Sequence, residues 1–265
     1  MKSSIQKYHN ISIKGRGMKK ITISVCLTVI IILIGCSKKA TSEDLSILTS
    51  AMQSVEIILQ TEVTRLHNIA QLPETQNGNW EFIKSELIKN DMERSKSLYW
   101  YSLPDGSYYT SEKDKVEANL SSREYFPALL KGKDVVGYPV IGKTSGKKSI
   151  VIAVPITVNE KVVGILGTSV FLDEFWDLLK DKIQIPDKYD FYAVNSEGIT
   201  IFDLETKDHL LDKVLEQPAP TLVEAIKVII LTNEGELNYK WNGKNKIAVY
   251  LKSSISDWRY VLSFY

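Results

Sequence analysis

The chain has 265 residues, of which 44% are hydrophobic and 25% charged, with a formal net charge of +1. That composition suits a globular protein of one or two compact domains. The near-neutral balance gives no electrostatic footprint for nucleic acid or for an acidic partner, and neither is expected.

The first 36 residues differ from the rest. Lys2, Lys7, Lys14, Arg16, Lys19 and Lys20 are basic, and no acid precedes Glu43. An apolar run, Ile21 to Ile34, leads to Gly35-Cys36. A basic start, a short apolar core and a small residue before the cut describe a secretory signal over residues 1–35. The run falls short of the ~20 residues a membrane span needs. Leu33-Ile-Gly-Cys36 resembles a bacterial lipobox, which implies cleavage before Cys36 and lipid attachment to its thiol. The signal is complete from Met18 onward, so Met18 is a second candidate start. The alternative is an uncleaved N-terminal anchor; both place the body outside the cytoplasm. Without residues 1–35 the chain keeps 27 basic and 32 acidic residues, a net of −5. Cys26 and Cys36 are the two cysteines. One leaves with the signal and the other carries lipid, which excludes a disulfide and a cysteine metal site.

A linker and long helix are expected over residues 36–72. Leu45, Leu48, Met52, Val55, Leu59, Leu66 and Ile69 recur in helical steps, with Glu62 as a polar interruption. Thr41 or Ser42 caps the start, and Pro73 follows the end. The stripe fits a dimer seam or packing on the chain's own sheet. Packing is expected for its far half, while the near half fits either.

A short helix is predicted from Trp80 to Ile88, and a hairpin from Ser97 to Ser111 around Pro104-Asp105-Gly106. Ser121 to Gly132 reads as a short capped helix. Strands follow at Val135–Ile141, Ser149–Val158 and Val162–Phe171, the last two joined by a tight turn at Asn159-Glu160-Lys161. A helix begins at Leu172. The strand–turn–strand theme recurs at Tyr189 to Asp203, then a helix over Thr221–Leu231, then a hairpin at Asn242-Gly243 and a last strand running to Tyr265. These are two similar α+β units, with a boundary near Ile183 to Lys188. Neither a second membrane span nor a cytoplasmic output domain is expected.

Gly142-Lys-Thr-Ser-Gly-Lys-Lys-Ser149 has the look of a phosphate-binding loop. Three residues rather than four separate its glycines, a second lysine stands where Ser or Thr belongs, and a β-branched strand follows instead of a helix. It reads as a hairpin tip with solvated lysines.

Taken in order, the long helix, "LPDGSYYTS", "SSREYFPALLKG", "YPVIGKTSGKKSIVIAVPI", "KVVGILGTSVFLDEF", "YAVNSEGITIFD" and "DWRYVLSFY" resemble the Cache family of extracytoplasmic sensor domains. The resemblance runs from Leu45 to the C-terminus and implies an α+β fold: a long N-terminal helix followed by two PAS-like modules with antiparallel sheets. Residues 73–182 would form the membrane-distal module and residues 183–265 the membrane-proximal one, with a small-molecule pocket in the first. Arg123 is the candidate ligand contact, because a guanidinium matches a carboxylate with two hydrogen bonds. Tyr125 and Phe126 would wall the site, with Tyr101 and Tyr138, and also Tyr99, Ile152 and Ala153, assigned from strand position. The same residues also fit a structural role, with Arg123 paired to an acid and the aromatics in the core. Family members that bind amino acids carry a tyrosine where this chain has Ala118 and an aspartate where it has Ser169. A small carboxylate or an uncharged metabolite is therefore the expected ligand.

Catalysis is not expected, nor a cofactor or metal. His67 and His209 are the histidines of the body, and they sit in a helix pattern and near a helix start. The expected protein is a lipid-anchored surface sensor that binds a small ligand and signals through a membrane receptor or kinase. The alternatives are solute delivery to a transporter, or a structural or protein-interaction lipoprotein with a closed pocket. A homodimer through the long helix is compatible with each.

Overall fold

A computed structural model describes residues 39–89 and 97–265. The signal and Cys36 lie outside the described residues. Helix α1 (Ser42–Ala70) is followed by short α2 (Pro73–Gln76) and α3 (Trp80–Ile88). The first sheet comprises β1 (Ser97–Ser102), β2 (Ser107–Thr110), β3 (Lys115–Asn119), β4 (Val135–Ile141), β5 (Lys148–Val158) and β6 (Lys161–Phe171), with α4 (Phe126–Leu130) between β3 and β4. Helix α5 (Leu172–Lys182) leads to the second sheet: β7 (Tyr189–Val194), β8 (Thr200–Asp203), β9 (Glu234–Trp241), β10 (Lys244–Lys252) and β11 (Arg259–Phe264), with α6 (Pro220–Leu231) between β8 and β9. The strand orders are β3-β2-β1-β6-β5-β4 and β8-β7-β11-β10-β9, and the pairings are antiparallel. The fold is α+β, a long helix followed by two PAS-like sheets.

Helix α1 starts where its capping chemistry dictates. The Asp44 amide donates to Thr41 Oγ1, and the Thr41 amide donates back to the Asp44 carboxylate at 2.7 Å. This closes a capping box that satisfies two otherwise orphaned donors. The buried positions are Asp44, Leu48, Ala51, Val55, Leu59, Val63, Leu66, Ile69 and Ala70. The stripe is therefore continuous: Val63, not Glu62, occupies the position that looked interrupted. Leu45, expected on the stripe, is 46% exposed. Both halves pack inward, against β4, β5 and β6 of the first sheet and β10 and β11 of the second. The near half, left open by sequence, is held by Tyr189, whose hydroxyl donates to Asp44 at 2.5 Å, and by Glu56, which accepts from Ser253 and Ser254. One apolar core thus runs between α1 and the inner faces of both sheets, from Ile152 and Val154 to Phe191 and Leu262.

The turns follow their residues. Asn159 and Glu160 both take positive φ (49° and 64°), as do Asn242 and Gly243 (47° and 78°). Two left-handed residues in a two-residue hairpin loop match the right-handed twist of the strands. Pro155 lies within β5 without breaking the sheet. The β4–β5 ladder ends at Val135 and Ala153, so no partner on that side needs the missing N–H.

Three local expectations are corrected. Strand β3 is short and mostly exposed, and its alternation rests on Val116 and Ala118 alone, which hid it from sequence reading. The predicted helix over Ser121–Gly132 is helical only at Phe126–Leu130, because Leu120 to Tyr125 form successive turns (Arg123 N–H to Leu120 O, Phe126 N–H to Arg123 O). Tyr265 lies just beyond β11, not in it.

Candidate ligand site

Alternate residues of a strand face opposite sides of the sheet. On the first sheet, the side away from α1 buries Trp100, Val151, Ala153 and Ile165 under Tyr125, Phe126 and Leu129 of the crossing segment. Trp100 pairs with Gly167 on the neighbouring strand, and a Cβ on Gly167 would stand 2.1 Å from the indole. The glycine is what lets the indole lie flat on β6. Phe126, Leu129, Ala153 and Ile165 are each 1% exposed or less.

Arg123 sits at the rim of this layer. Its Nη2 donates to the Ile141 carbonyl at 2.7 Å, while its Nε is buried with no hydrogen-bond partner. Pairing with a neighbouring acid is the alternative expectation; among the described residues Arg123 forms no ion pair, and its guanidinium is held by a backbone carbonyl. Tyr125 and Tyr138 meet with ring centroids 5.3 Å apart. Burial pushes the Tyr125 phenol up to about 12. The Tyr138 hydroxyl donates to Glu124 at 2.7 Å; burial, then that bond, raises its pKa too. Both phenols stay protonated donors at neutral pH.

The glycine-lysine turn lies beside Arg123. Gly142 and Gly146 close it through N–H donations to the Lys147 and Gly142 carbonyls at 2.9 Å each. Its lysines are exposed, as expected of a hairpin tip, and two of them also reach backbone carbonyls. Lys143 donates to the Asn119 carbonyl and Ser122 hydroxyl, and Lys148 to the Leu210 carbonyl across the junction with the second sheet. Thr144 meets the Tyr108 hydroxyl at 2.6 Å.

Arg123, Tyr125, Phe126 and Tyr138 thus fall in one neighbourhood. Ser169, whose strand partner is Val151, shares that face, as does Ala153. Tyr101 does not. Its side chain points to the α1 side, where it stacks with Trp80 and Tyr109 at 6.5 and 6.1 Å. Tyr99 and Ile152 are on that side as well. The physical reason is strand parity: Trp100, between the two tyrosines, is the β1 ring on the outer face. Sequence reasoning missed Trp100; the signal available was Gly167, a small residue inside an apolar strand.

The second sheet has an equivalent outer face, and there the covering segment leaves a cavity of about 60 Å³. Lys246, only 5% exposed, pairs with Asp190 in its wall. The hydroxyls of Tyr192 and Tyr239 approach to 3.5 Å. Asp203 opens on the same space, and burial, aided by the charges of Glu205 and Asp190, raises its carboxyl to about 6. His209 Nδ1 lies 3.0 Å from Asp212 with its ring edge toward Trp241.

The model of the Cache domain matches residues 37–264. No curated protein matches the chain by sequence. Among solved structures, the sensory domain of the Campylobacter jejuni chemoreceptor Tlp3 with isoleucine bound is similar at a TM-score of 0.61 and 13% identity, over 83% of this chain and 90% of that one. The extracellular domain of the putative histidine kinase mmHK1S-Z2 is similar at 0.60 and 17% identity, over 84% and 96%. The periplasmic sensory domain of the Campylobacter jejuni chemoreceptor Tlp1 is similar at 0.57 and 17%, over 83% and 92%. At such identities the likeness is one of fold. With the family match spanning both sheets and the long helix, the chain belongs to the Cache domain family.

Proposed function

We propose that this protein is an extracytoplasmic, lipid-anchored sensor whose first module binds a small carboxylate or metabolite and passes occupancy to a membrane receptor or kinase. The observation that carries the reading is Arg123. Its Nε is buried without a hydrogen bond while Nη2 is already fixed, and an unsatisfied buried donor invites an acceptor. Tyr125 and Tyr138 stand in the same neighbourhood with protonated hydroxyls, and Ser169 shares the outer face. Cys36 would carry the lipid, with the body on the outer side of a bacterial membrane. The body acts by binding, without catalysis. A pair of chains, if it forms along α1, would use the face carrying the exposed Ile57, opposite the stripe that packs on the chain's own sheets.

The close packing of Trp100 on Gly167 favours a second reading, in which the first module is closed and the protein is a structural or protein-interaction lipoprotein. One experiment separates the two. Ligands that bind the folded state raise its melting temperature by mass action. A screen of small carboxylates is expected to find a stabiliser of the wild type that neither Arg123→Ala nor Arg123→Lys retains, since lysine lacks the planar fork. If no carboxylate shifts the wild type and Arg123→Ala only lowers its melting temperature, the closed reading stands. Cys36→Ser tests the anchor: acyl chains absent and the signal uncleaved.

A further inference from the structure

We propose that the second module holds a ligand site of its own, the cavity between its sheet and the segment from Glu205 to Ile226, and that its ligand is a small organic cation, an amine of a few heavy atoms. The location is what the fold repeats. The cavity lies on the outer face of β7, β11, β10 and β9, as the Arg123 neighbourhood lies on the outer face of the first sheet.

Size bounds the ligand. About 60 Å³ is several times the ~10–15 Å³ one water needs and far below the ~300–1,000 Å³ of drug-sized pockets. A molecule with the dimensions of methylamine or ethanolamine fits that range.

Charge selects its class. Asp190, Asp203 and Glu205 line the cavity with Lys246 as the one ammonium among them. Lys246 is matched to Asp190, with Ser263 also donating to that carboxylate at 3.4 Å. Among the described residues no cation forms an ion pair with Asp203 or Glu205. Asp203 accepts from the Glu205 backbone N–H at 2.9 Å, which does not neutralise it. A partly buried carboxylate facing two others is held at a cost that a cation would remove. An anion would meet the same carboxylates as repulsion. A metal ion is not the occupant the donors suit: among the described residues no three His, Cys, Asp or Glu side chains group to hold one. Tyr192, Tyr239 and Trp241 supply hydroxyls and ring faces, the surroundings in which an ammonium group is bound through carboxylate and π contacts.

The titratable groups facing the space are Asp190, Asp203, Glu205, Lys246, His209, Tyr192 and Tyr239, with Asp212 behind His209. The Asp203 carboxyl, raised by burial to about 6, takes up a proton between pH 7.5 and pH 5. Protonating it removes the charge the amine needs. At pH 5 about one molecule in ten keeps Asp203 ionised, so binding is expected to be roughly tenfold weaker than at pH 7.5.

The test uses the full chain in detergent, with methylamine and ethanolamine hydrochlorides against sodium chloride and sodium acetate at equal ionic strength. Melting temperature and calorimetric affinity are the readouts. The proposal expects an amine-specific rise, weaker binding at pH 5, its loss in Asp203→Asn, and its retention in Arg123→Ala. Should Asp203→Asn fail to fold, Glu205→Gln serves, with weakened binding expected. No rise beyond that of sodium chloride overturns the proposal. So does an Asp203→Asn protein that responds like the wild type. Loss of the response in Arg123→Ala would move the amine to the first module and also overturn it. The carboxylate screen described above is independent, so either site can fail alone.

Discussion

The indole N–H of Trp258 donates to the carbonyl of Gly137 at 3.0 Å, joining the residue that leads into β11, the central strand of the second sheet, to the edge strand of the first. Gly137 sits at φ +76°, where the β4–β5 register shifts, and a Cβ there would lie 2.5 Å from the indole. The bulge turns the Gly137 carbonyl out of the ladder and toward the tryptophan. Trp258 itself is fully buried, edge-on to Phe175, Phe202 and Tyr260.

Gly137→Ala is therefore expected to destabilise the protein by about 2–4 kcal/mol, from left-handed backbone strain and the clash together. Urea denaturation measures it. A change below about 0.5 kcal/mol, the level of a neutral surface substitution, would mean the junction does not depend on this contact.

Glu56 is a second clamp, from α1 to the turn between β10 and β11. Its two oxygens accept from the Ser253 hydroxyl at 2.6 Å and from the Ser254 amide and hydroxyl at 3.1 Å each. Glu56→Ala is expected to cost about 1–3 kcal/mol. Hydrogen exchange should speed up at Ser254 to Ser256 first, and unchanged protection there would argue that the helix is held by its apolar stripe alone.

The β5–β6 turn is open to improvement. Glu160 occupies a left-handed position at φ 64° that favours glycine, directly after Asn159. Glu160→Gly completes an Asn-Gly pair and is expected to raise stability by about 0.5–1 kcal/mol, relieved strain outweighing the added chain entropy. A lower melting temperature would contradict it.

Asp203 makes stability depend on pH. Its folded carboxyl, at about 6, lies above the unfolded reference of 3.8, so the folded state binds the proton more tightly. Where the folded state holds more protons, stability falls as pH rises. The loss runs from about pH 4 to about pH 6 and amounts to on the order of 2–3 kcal/mol. Asp203→Asn should flatten that slope and be the more stable protein at pH 7.5. Parallel stability profiles for the two proteins would exclude the mechanism.

Much of the fold can be read from local chemistry. Thr41 and Asp44 mark where α1 begins, because capping is decided within four residues. Asn159-Glu160 and Asn242-Gly243 mark hairpins, because left-handed backbone is a property of the turn. Arg123, Tyr125 and Phe126 are neighbours in sequence, so their shared neighbourhood follows from one short segment. The rest depended on distant partners. In β1, five of six residues are buried, so alternation cannot say which face holds Trp100 and which holds Tyr99 and Tyr101. The near half of α1 was ambiguous because an apolar stripe fits a second helix or a sheet equally well. Its partners, Tyr189 and Ser253, lie 145 and 197 residues from the helical residues they contact. The second-module cavity left no motif either, since Asp190, Asp203 and Lys246 come from three strands. By itself the sequence determined most of the elements, the hairpin turns and the Arg123 segment, because those rest on short-range sterics and hydrogen bonding. Only the tertiary structure decided which strand face each ring occupies, that one helix serves both sheets, and where, among the described residues, a half-buried carboxylate is left without an ion pair. Those are outcomes of packing between residues far apart in the chain.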